Sequence, residues 1–403
     1  MKRKSVLSLV LCGLILVSTG YALQSRVLPA DSPPPTLVRT DFVTELNNPW
    51  DMAFTSDMTM FFTERCRGLS VRKTDGTIVE LFGMTGYALE APDFFCEGQS
   101  GMNGVALDPA FATNRTLYVY MSSNLSVNPR TNRVVRLVAS EDFTSVSDRV
   151  DIVTDISYKD VGNSWGNAGS HSGGRIRFGP DGFLYITTGD NHNGILPQDL
   201  TQLGGKILRV DGNGVAAPGN NTPAGGDPRI YTYGHRNTQG ITFHPVTGRV
   251  FIAEHGPDHS DEVTALTPGG NGGWDPKPDH GVICSDEYCG YISNKISGFL
   301  TPMTDLQKFP DAMKPMFVLV DAQGMGPATF LTGSQWKSWE NTLLVSVMAS
   351  MQLYVLQVGA KDEASGFVLS SLPLDRMRSL VQAPDGNLYI ATDTGSIWKV
   401  VPQ

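Results

Sequence analysis

Blocks of Lys and Arg are missing from this 403-residue chain after Lys2-Arg3-Lys4 at its start, and the net charge is −9. Phosphate backbones are bound through clustered cations, so nucleic acid is excluded as a partner. Long apolar runs are missing too. The one candidate, Val6 to Val17, is short for a spanning helix. Few stretches carry the period of an amphipathic helix. Cysteine is scarce, at five residues, and no pair has zinc-ribbon spacing. What the chain has in quantity is punctuation, with 43 Gly and 25 Pro. That density favours many short strands joined by turns.

The start of the chain reads as an export signal. Lys2, Arg3 and Lys4 form a positive n-region ahead of the apolar run, and Gly20-Tyr21-Ala22 supplies small residues for cleavage. An uncleaved anchor is the alternative. Cys12 lies inside the apolar run after Leu11, not after a small residue, which argues against a lipoprotein. We expect a signal peptide over residues 1–22 and a periplasmic or secreted protein. A Pro-rich linker over 23–40 contains Asp31-Ser32-Pro33-Pro34-Pro35. No comparable linker follows, so 41–403 is expected to be one domain. Cys66, Cys96, Cys284 and Cys289 remain after cleavage and are compatible with two disulfides in any of three pairings. Cys284 and Cys289 stand close in a polar segment. Pairing them leaves Cys66 with Cys96; free thiols are the alternative.

Within that domain a unit recurs. Phe178-Gly179-Pro180-Asp181-Gly182-Phe183-Leu184-Tyr185-Ile186-Thr187 is nearly repeated as Ala383-Pro384-Asp385-Gly386-Asn387-Leu388-Tyr389-Ile390-Ala391-Thr392. Looser copies run from Phe54, from Leu107 and from Phe243, and a weak one from Trp336. Pro presets φ, Asp bonds back to the backbone, and Gly takes the positive-φ position. A β-prone run follows each turn, as after a hairpin. Six strand-rich units spaced about 45 to 90 residues apart predict an all-β fold, a six-bladed β-propeller with long loops on one face. A β-sandwich with similar hairpins is the alternative. The longest insertion, from about Trp274 to Lys314, is placed to wall a pocket.

Polar and Gly-rich clusters fall between the repeats. They are Glu97-Gly98-Gln99-Ser100-Gly101, Gly169-Ser170-His171-Ser172-Gly173-Gly174, Gly189-Asp190-Asn191-His192, Tyr233 to Gly240, Glu254 to Glu262, and Arg376-Met377-Arg378. In a propeller, loops on one face converge on the central channel, so separate clusters can build one site. An imidazole suits proton abstraction near neutral pH, which singles out His171. Arg376 and Arg378 alternate along an extended segment and share a face, as two carboxylate-binding arginines would. His255 and His259 have metal-ligand spacing for a helix, but Gly256-Pro257 makes a helix there improbable.

Taken in order, Pro49-Trp50, Gly98-Gln99-Ser100-Gly101, His171-Ser172-Gly173-Gly174-Arg175, Gln198-Asp199-Leu200, Gly205-Lys206-Ile207-Leu208-Arg209, Tyr233-Gly234-His235-Arg236-Asn237-Thr238-Gln239-Gly240, Glu254-His255-Gly256-Pro257 and Arg376-Met377-Arg378 resemble the pattern of the PQQ-dependent glucose, aldose and sorbosone dehydrogenases. The resemblance runs from about Pro49 to Val400. It implies an enzyme that oxidises the anomeric carbon of aldoses to lactones. It makes His171 the general base and Asp190 the group that orients it. Arg236 and Asn237 face the quinone oxygens, and Arg376 and Arg378 face the carboxylates of PQQ. Gln99 and Gln198 are lesser cofactor or sugar contacts. Gly256 and Pro257 offer carbonyls to a catalytic Ca2+, while Asp261 and Glu262 either hold a second, structural Ca2+ or cap a loop. Gly173 and Gly174 let the backbone pass close to a ligand. The expected partners are an aldose and a soluble electron acceptor, with the protein a monomer or homodimer.

Two departures stand out. A lysine expected in the strand-end loop after the fifth repeat is absent from Ser346-Val347-Met348-Ala349-Ser350-Met351, and Asn-Tyr-Gly-Trp becomes Asn271-Gly272-Gly273-Trp274. They keep two other readings open: a non-catalytic propeller that binds sugar or protein, and a calcium-dependent propeller lactonase.

Overall fold

The computed structural model describes residues 33–162, 166–278, 286–291, 293–294, 300–359, 363–369 and 371–403. Its six sheets are blades of a propeller. The first holds Pro49–Phe54, Met60–Glu64, Gly68–Arg72 and Ile78–Gly83, with a short fifth strand, Leu89–Glu90, at its edge. The innermost strands of the next five are Met102–Leu107, Ile176–Phe178, Thr238–Phe243, Met325–Phe330 and Met377–Gln382. Each innermost strand touches the next, and the sixth touches the first, so the strands ring a central axis. The outermost strand of the sixth blade is Leu37–Val43, which pairs antiparallel with Ile397–Pro402 from Leu37 opposite Pro402 to Val43 opposite Ile397. Two chain ends thus close the ring in one sheet. This strand starts at Leu37, inside the stretch expected as linker, so residues 37–40 belong to the closing blade.

A four-stranded blade is apolar on both faces, and each face is buried against the next blade. Six cores result. Phe61, Leu69 and Phe82 of the first blade meet Met102, Val119 and Val135 of the second. Trp336, Trp339 and Leu344 of the fifth meet Leu380, Leu388 and Trp398 of the sixth. Val43, Ala383 and Tyr389 meet Met52, Met60 and Phe62 across the closure. Each large apolar side chain buried this way contributes about 1.5–3 kcal/mol.

Every copy of the recurring unit is the turn from a blade's innermost strand to its second strand. Gly182 has a φ of 79° and Gly386 one of 77°. Asp181 Oδ1 accepts from Phe183 N–H at 3.2 Å, and Asp385 Oδ1 accepts from Asn387 N–H at 3.0 Å. The weak copy after Phe330 replaces the tight turn with the short helix Ser334–Trp339, whose tryptophans enter the core. These turns share one face. The polar clusters lie on the opposite face, where innermost strands begin and second strands end.

Below that face the axis is plugged by charge. Asp51, fully buried, pairs with Arg175 at 2.6 Å and Arg177 at 2.7 Å. Burial pushes this carboxyl up, but the two guanidinium groups outweigh it and hold it below its usual range. Arg175 Nη2 also donates to the Arg378 carbonyl at 2.6 Å, tying the third blade to the sixth. The Gly-Gly before Arg175 serves this packing. A Cβ on Gly174 would stand 2.7 Å from Asn103 Cβ, and one on Gly173 would stand 2.7 Å from Thr187 O. The close approach expected toward a ligand is therefore made to neighbouring strands.

Cys66 and Cys96 form a disulfide. Cys289 is also disulfide-bonded; Cys284 lies outside the described residues, as do residues 1–32.

Candidate active site

His171 sits in the loop entering the third blade with a φ of 52°, in the left-handed region. That conformation costs a non-glycine residue about 1–2 kcal/mol. Two bonds hold it. Its N–H donates to Gln99 Oε1 at 2.9 Å, and its carbonyl accepts from Asn191 Nδ2 at 2.8 Å. Its ring Nδ1 lies 2.7 Å from Asp190 Oδ1. A carboxylate only accepts, so Nδ1 carries the proton and Nε2 keeps its lone pair. Burial, reinforced by Arg236, His255 and Lys159, holds the imidazole well below its usual range. It is a neutral imidazole, oriented by a carboxylate.

Asp190 is fully buried and collects four donors. Besides His171 Nδ1–H these are Trp274 Nε1–H at 2.8 Å, the Tyr291 hydroxyl, and His192 N–H at 3.0 Å. Burial raises its carboxyl above the ordinary range, while Arg236 leads the effects that oppose the rise. Trp274 and Tyr291 come from the long insertion, which therefore walls the site as expected of it.

Arg236 and Asn237 follow at the entry to the fourth blade. Arg236 Nη1 donates to the carbonyls of His255 at 2.8 Å and Gly256 at 2.7 Å, and its N–H bonds Glu254. Its carbonyl accepts from Asp190 N–H at 2.7 Å, which couples this loop to the His171–Asp190 pair. Arg236 Nε, Asn237 Nδ2 and His255 Nδ1 are buried without a hydrogen-bond partner. Leaving such a group unsatisfied costs about 1–3 kcal/mol.

Arg376 and Arg378 lie at the entry to the sixth blade, and both face Asp393. Arg378 makes a forked bond to Asp393, at 2.5 and 2.6 Å, and lies 4.5 Å from the centroid of the Trp50 ring. Arg376 lines a cavity of about 570 Å³ with His255, Pro257, Gly324, Met348 and Met351. Met348 occupies the loop where a lysine was expected, and its sulfur lies 3.1 Å from Arg378 Nη1 and 3.8 Å from Arg376 Nη2.

Of the acidic pair, Asp261 bonds the backbone and Glu262 a side chain. Asp261 accepts from the N–H groups of Gly256 at 2.8 Å, Gln323 at 2.7 Å and Met325 at 3.1 Å. Glu262 accepts from the Thr304 hydroxyl at 2.7 Å, and burial pushes its carboxyl up to about 8. No group of three or more His, Cys, Asp and Glu stands ready for a metal among the described residues. His255 and His259 bracket a turn into the strand His259–Ala265, not a helix. Gln198 lies against the segment that carries Trp274. Its amide pairs with Asn271, at 3.1 and 3.0 Å, and donates to Trp274 O at 2.9 Å, so it braces the segment carrying Trp274.

Against known families, residues 46–399 match the model described as glucose/sorbosone dehydrogenase. The chain belongs to this family. The aldose sugar dehydrogenase of Escherichia coli K12 is 28% identical over 366 residues, 89% of this chain and 91% of that protein. Quinoprotein glucose dehydrogenase B of Acinetobacter calcoaceticus is 26% identical over 432 residues, 89% of this chain and 84% of that one. A structure of the PQQ-bound aldose sugar dehydrogenase of Streptomyces coelicolor superposes with a TM-score of 0.66 at 24% identity, covering 92% of this chain and all of that one.

Sequence reasoning missed several residues of the site in this glucose/sorbosone dehydrogenase. Arg65 lies 5.5 Å from the Trp50 ring and donates to Gly98 O at 2.5 Å, bracing the Gln99 loop beside Cys96. His192 stacks on His171 with ring centroids 3.7 Å apart. Their only local signal was polarity at a strand end. At Gly272, where a tyrosine was expected, a Cβ would stand 2.6 Å from Gly234 O and 2.8 Å from His235 Nδ1. This backbone therefore admits no side chain there without a shift.

Proposed function

We propose that this protein is an exported quinoprotein that oxidises the anomeric carbon of aldoses to lactones, with His171 as general base and PQQ as cofactor. One observation carries the reading: a neutral His171, its Nδ1–H locked onto buried Asp190, stands beside buried donors that lack acceptors. Such donors suit a ligand rich in carbonyl and carboxylate oxygens, and PQQ is one. Arg236 and Asn237 would hold its quinone end, and Arg376 and Arg378 its carboxylates. When bound, PQQ supplies a hydride acceptor, chemistry that no side chain offers. The quinoprotein among the relatives and the PQQ-bound structural neighbour support the assignment.

The chain's own part is acid–base chemistry and charge placement. His171 Nε2 takes the proton of the anomeric hydroxyl as the C1–H bond breaks and C1=O forms. Asp190 stabilises the imidazolium that results, as the third member of a triad does. Trp274 and Tyr291 fix Asp190 and keep water from it. Arg236 and Asn237 place donors where negative charge develops. Ca2+ would be held by the Gly256 and Pro257 carbonyls, and Arg236 Nη1 must then share or release Gly256 O. Asp261 and Glu262 are candidates for a second, structural Ca2+. The electron acceptor is proposed to be a soluble carrier in the same compartment. No helix of the described residues is long and apolar enough to cross a membrane.

The test is titration of the purified protein with PQQ and Ca2+, read by protein fluorescence, followed by dye reduction with a panel of aldoses. Saturable PQQ binding with aldose-dependent reduction supports the proposal. Absence of both would overturn it and favour the non-catalytic propeller, for which Met348 in place of a cationic residue is the motive. Lactone hydrolysis without PQQ would favour the hydrolase.

A further inference from the structure

His171 is flanked by a second imidazole and a buried ammonium that the mechanism above does not use, and neither residue belongs to the motif pattern that carries the resemblance. Lys159 follows the outer strand of the second blade, Val146–Ser157, and is almost fully buried. Its Nζ lies 2.9 Å from His192 Nδ1 and donates to Gly166 O at 3.1 Å. An ammonium only donates, so His192 Nδ1 accepts and the ring proton is on Nε2. The His192 ring then lies tilted at 52° against His171, centroids 3.7 Å apart. The segment is clamped from both sides. The Tyr158 hydroxyl donates to Glu97 Oε2 at 3.1 Å, Asp160 pairs with Arg130 at 2.6 Å, and the Lys159 carbonyl accepts from Gly169 N–H at 2.8 Å. Glu97 and Gly169 belong to the same loops as Gln99 and His171.

We infer that Lys159 and His192 are positioning residues for His171: the ammonium fixes the His192 ring against the base, and its charge adds to the burial and the other cations that disfavour the imidazolium. The ionisable groups facing His171 are Asp190 and His192 from its own blade, Lys159 from the second blade, Arg236 and His255 from the fourth, and Tyr291 from the insertion. Only Asp190 favours the imidazolium, and the cations oppose it. Burial lowers the Lys159 ammonium to about 8, so below that pH it is charged. The inference rests on the reading of His171 as base, but its test does not require turnover.

That test is an NMR pH titration of the protein without added cofactor, with histidine labelled at Cε1 and the His171 signal assigned from His171→Gln. In the wild type His171 stays neutral to well below the ordinary imidazole range. Removing this unit charge, one imidazole away, in Lys159→Met raises its midpoint by about one unit. Lys159→Arg, which keeps the charge, restores the wild-type midpoint. Lys159→Gln keeps a donor without the charge and must behave as Lys159→Met; it carries the test should Lys159→Met fail to fold. A midpoint unmoved in both neutral variants overturns the inference. Should the protein turn over aldoses, the acidic limb of kcat/KM moves to higher pH in the same variants. Absence of turnover would speak only against the proposed function.

Discussion

Replacing Asp190 with Asn tests the logic of the site with the smallest change of shape. The carboxyl accepts from His171 Nδ1–H, Trp274 Nε1–H, Tyr291 O–H and His192 N–H, and it is fully buried. An amide has one acceptor oxygen, and its NH2 must point somewhere. The Trp274 indole can only donate to Oδ2 and the Tyr291 hydroxyl already does so, so the oxygen is drawn to that side and the NH2 faces His171. The imidazole then answers by accepting at Nδ1, which moves its proton to Nε2 and removes the lone pair that takes the substrate proton. In a Ser-His-Asp triad the same exchange lowers kcat about 10⁴-fold with geometry intact. We expect kcat to fall about 10³- to 10⁴-fold here, KM to change less than threefold, and stability to drop by about 1–3 kcal/mol for the strained donors. Steady-state dye reduction with added PQQ and Ca2+ reads the first two, and urea unfolding the third. An Asp190→Asn variant that keeps a tenth of the wild-type kcat, while its His171 is still neutral, would refute the tautomer argument.

Other perturbations reach other parts of the account. Asp51→Asn strips the counter-charge from Arg175 and Arg177 on the axis and should destabilise the protein by about 3–5 kcal/mol, seen as a fall in Tm. Breaking Cys66–Cys96, 30 residues apart, with Cys66→Ser and Cys96→Ser together should cost about 3–4 kcal/mol and loosen the Gln99 loop; an unchanged urea midpoint would speak against a constraining role. Acid should weaken the fold. His171 and His192 are held below the usual imidazole range, and His255 lies at about 3, so the unfolded chain binds more protons as pH falls through 6.5. Each imidazole that stays neutral at pH 5 lowers stability by about 2 kcal/mol there, and the loss continues toward pH 3. Glu262 has the opposite sign in the metal-free protein. Its carboxyl is raised to about 8, so the stability it contributes is full below 4.5 and fades as pH rises through 8. With a second Ca2+ at Asp261 and Glu262, added Ca2+ should lift Tm at pH 8 more in the wild type than in Glu262→Gln.

The propeller could be read in the chain because its turns are local. Pro-Asp-Gly followed by Leu-Tyr-Ile is a short-range signal, and it recurs with the same Asp-to-backbone bonds at Asp181 and Asp385. The weak copy at Trp336 was harder to see because there core tryptophans on a short helix replace the turn. The His171–Asp190–Arg236 line was legible for a related reason: each residue sits in a Gly-rich cluster at a strand end. What the sequence hid depends on distance along the chain. Trp274 and Tyr291 meet Asp190 from 84 and 101 residues away. Lys159 meets His192 across two blades with no spacing to announce it. The partner of Gln198 was hidden in the same way, since its amide meets Asn271 from 73 residues away.

The most direct test of the central claim is a single turnover without dye. The protein loaded with PQQ and Ca2+ is mixed with excess aldose, and reduction of the cofactor is followed by its absorbance in wild type and His171→Ala. The account predicts that both bind PQQ, that the wild type is reduced by the sugar, and that His171→Ala is reduced at least a hundredfold more slowly. Equal rates in the two proteins would contradict it, because the proton would then leave the sugar without His171.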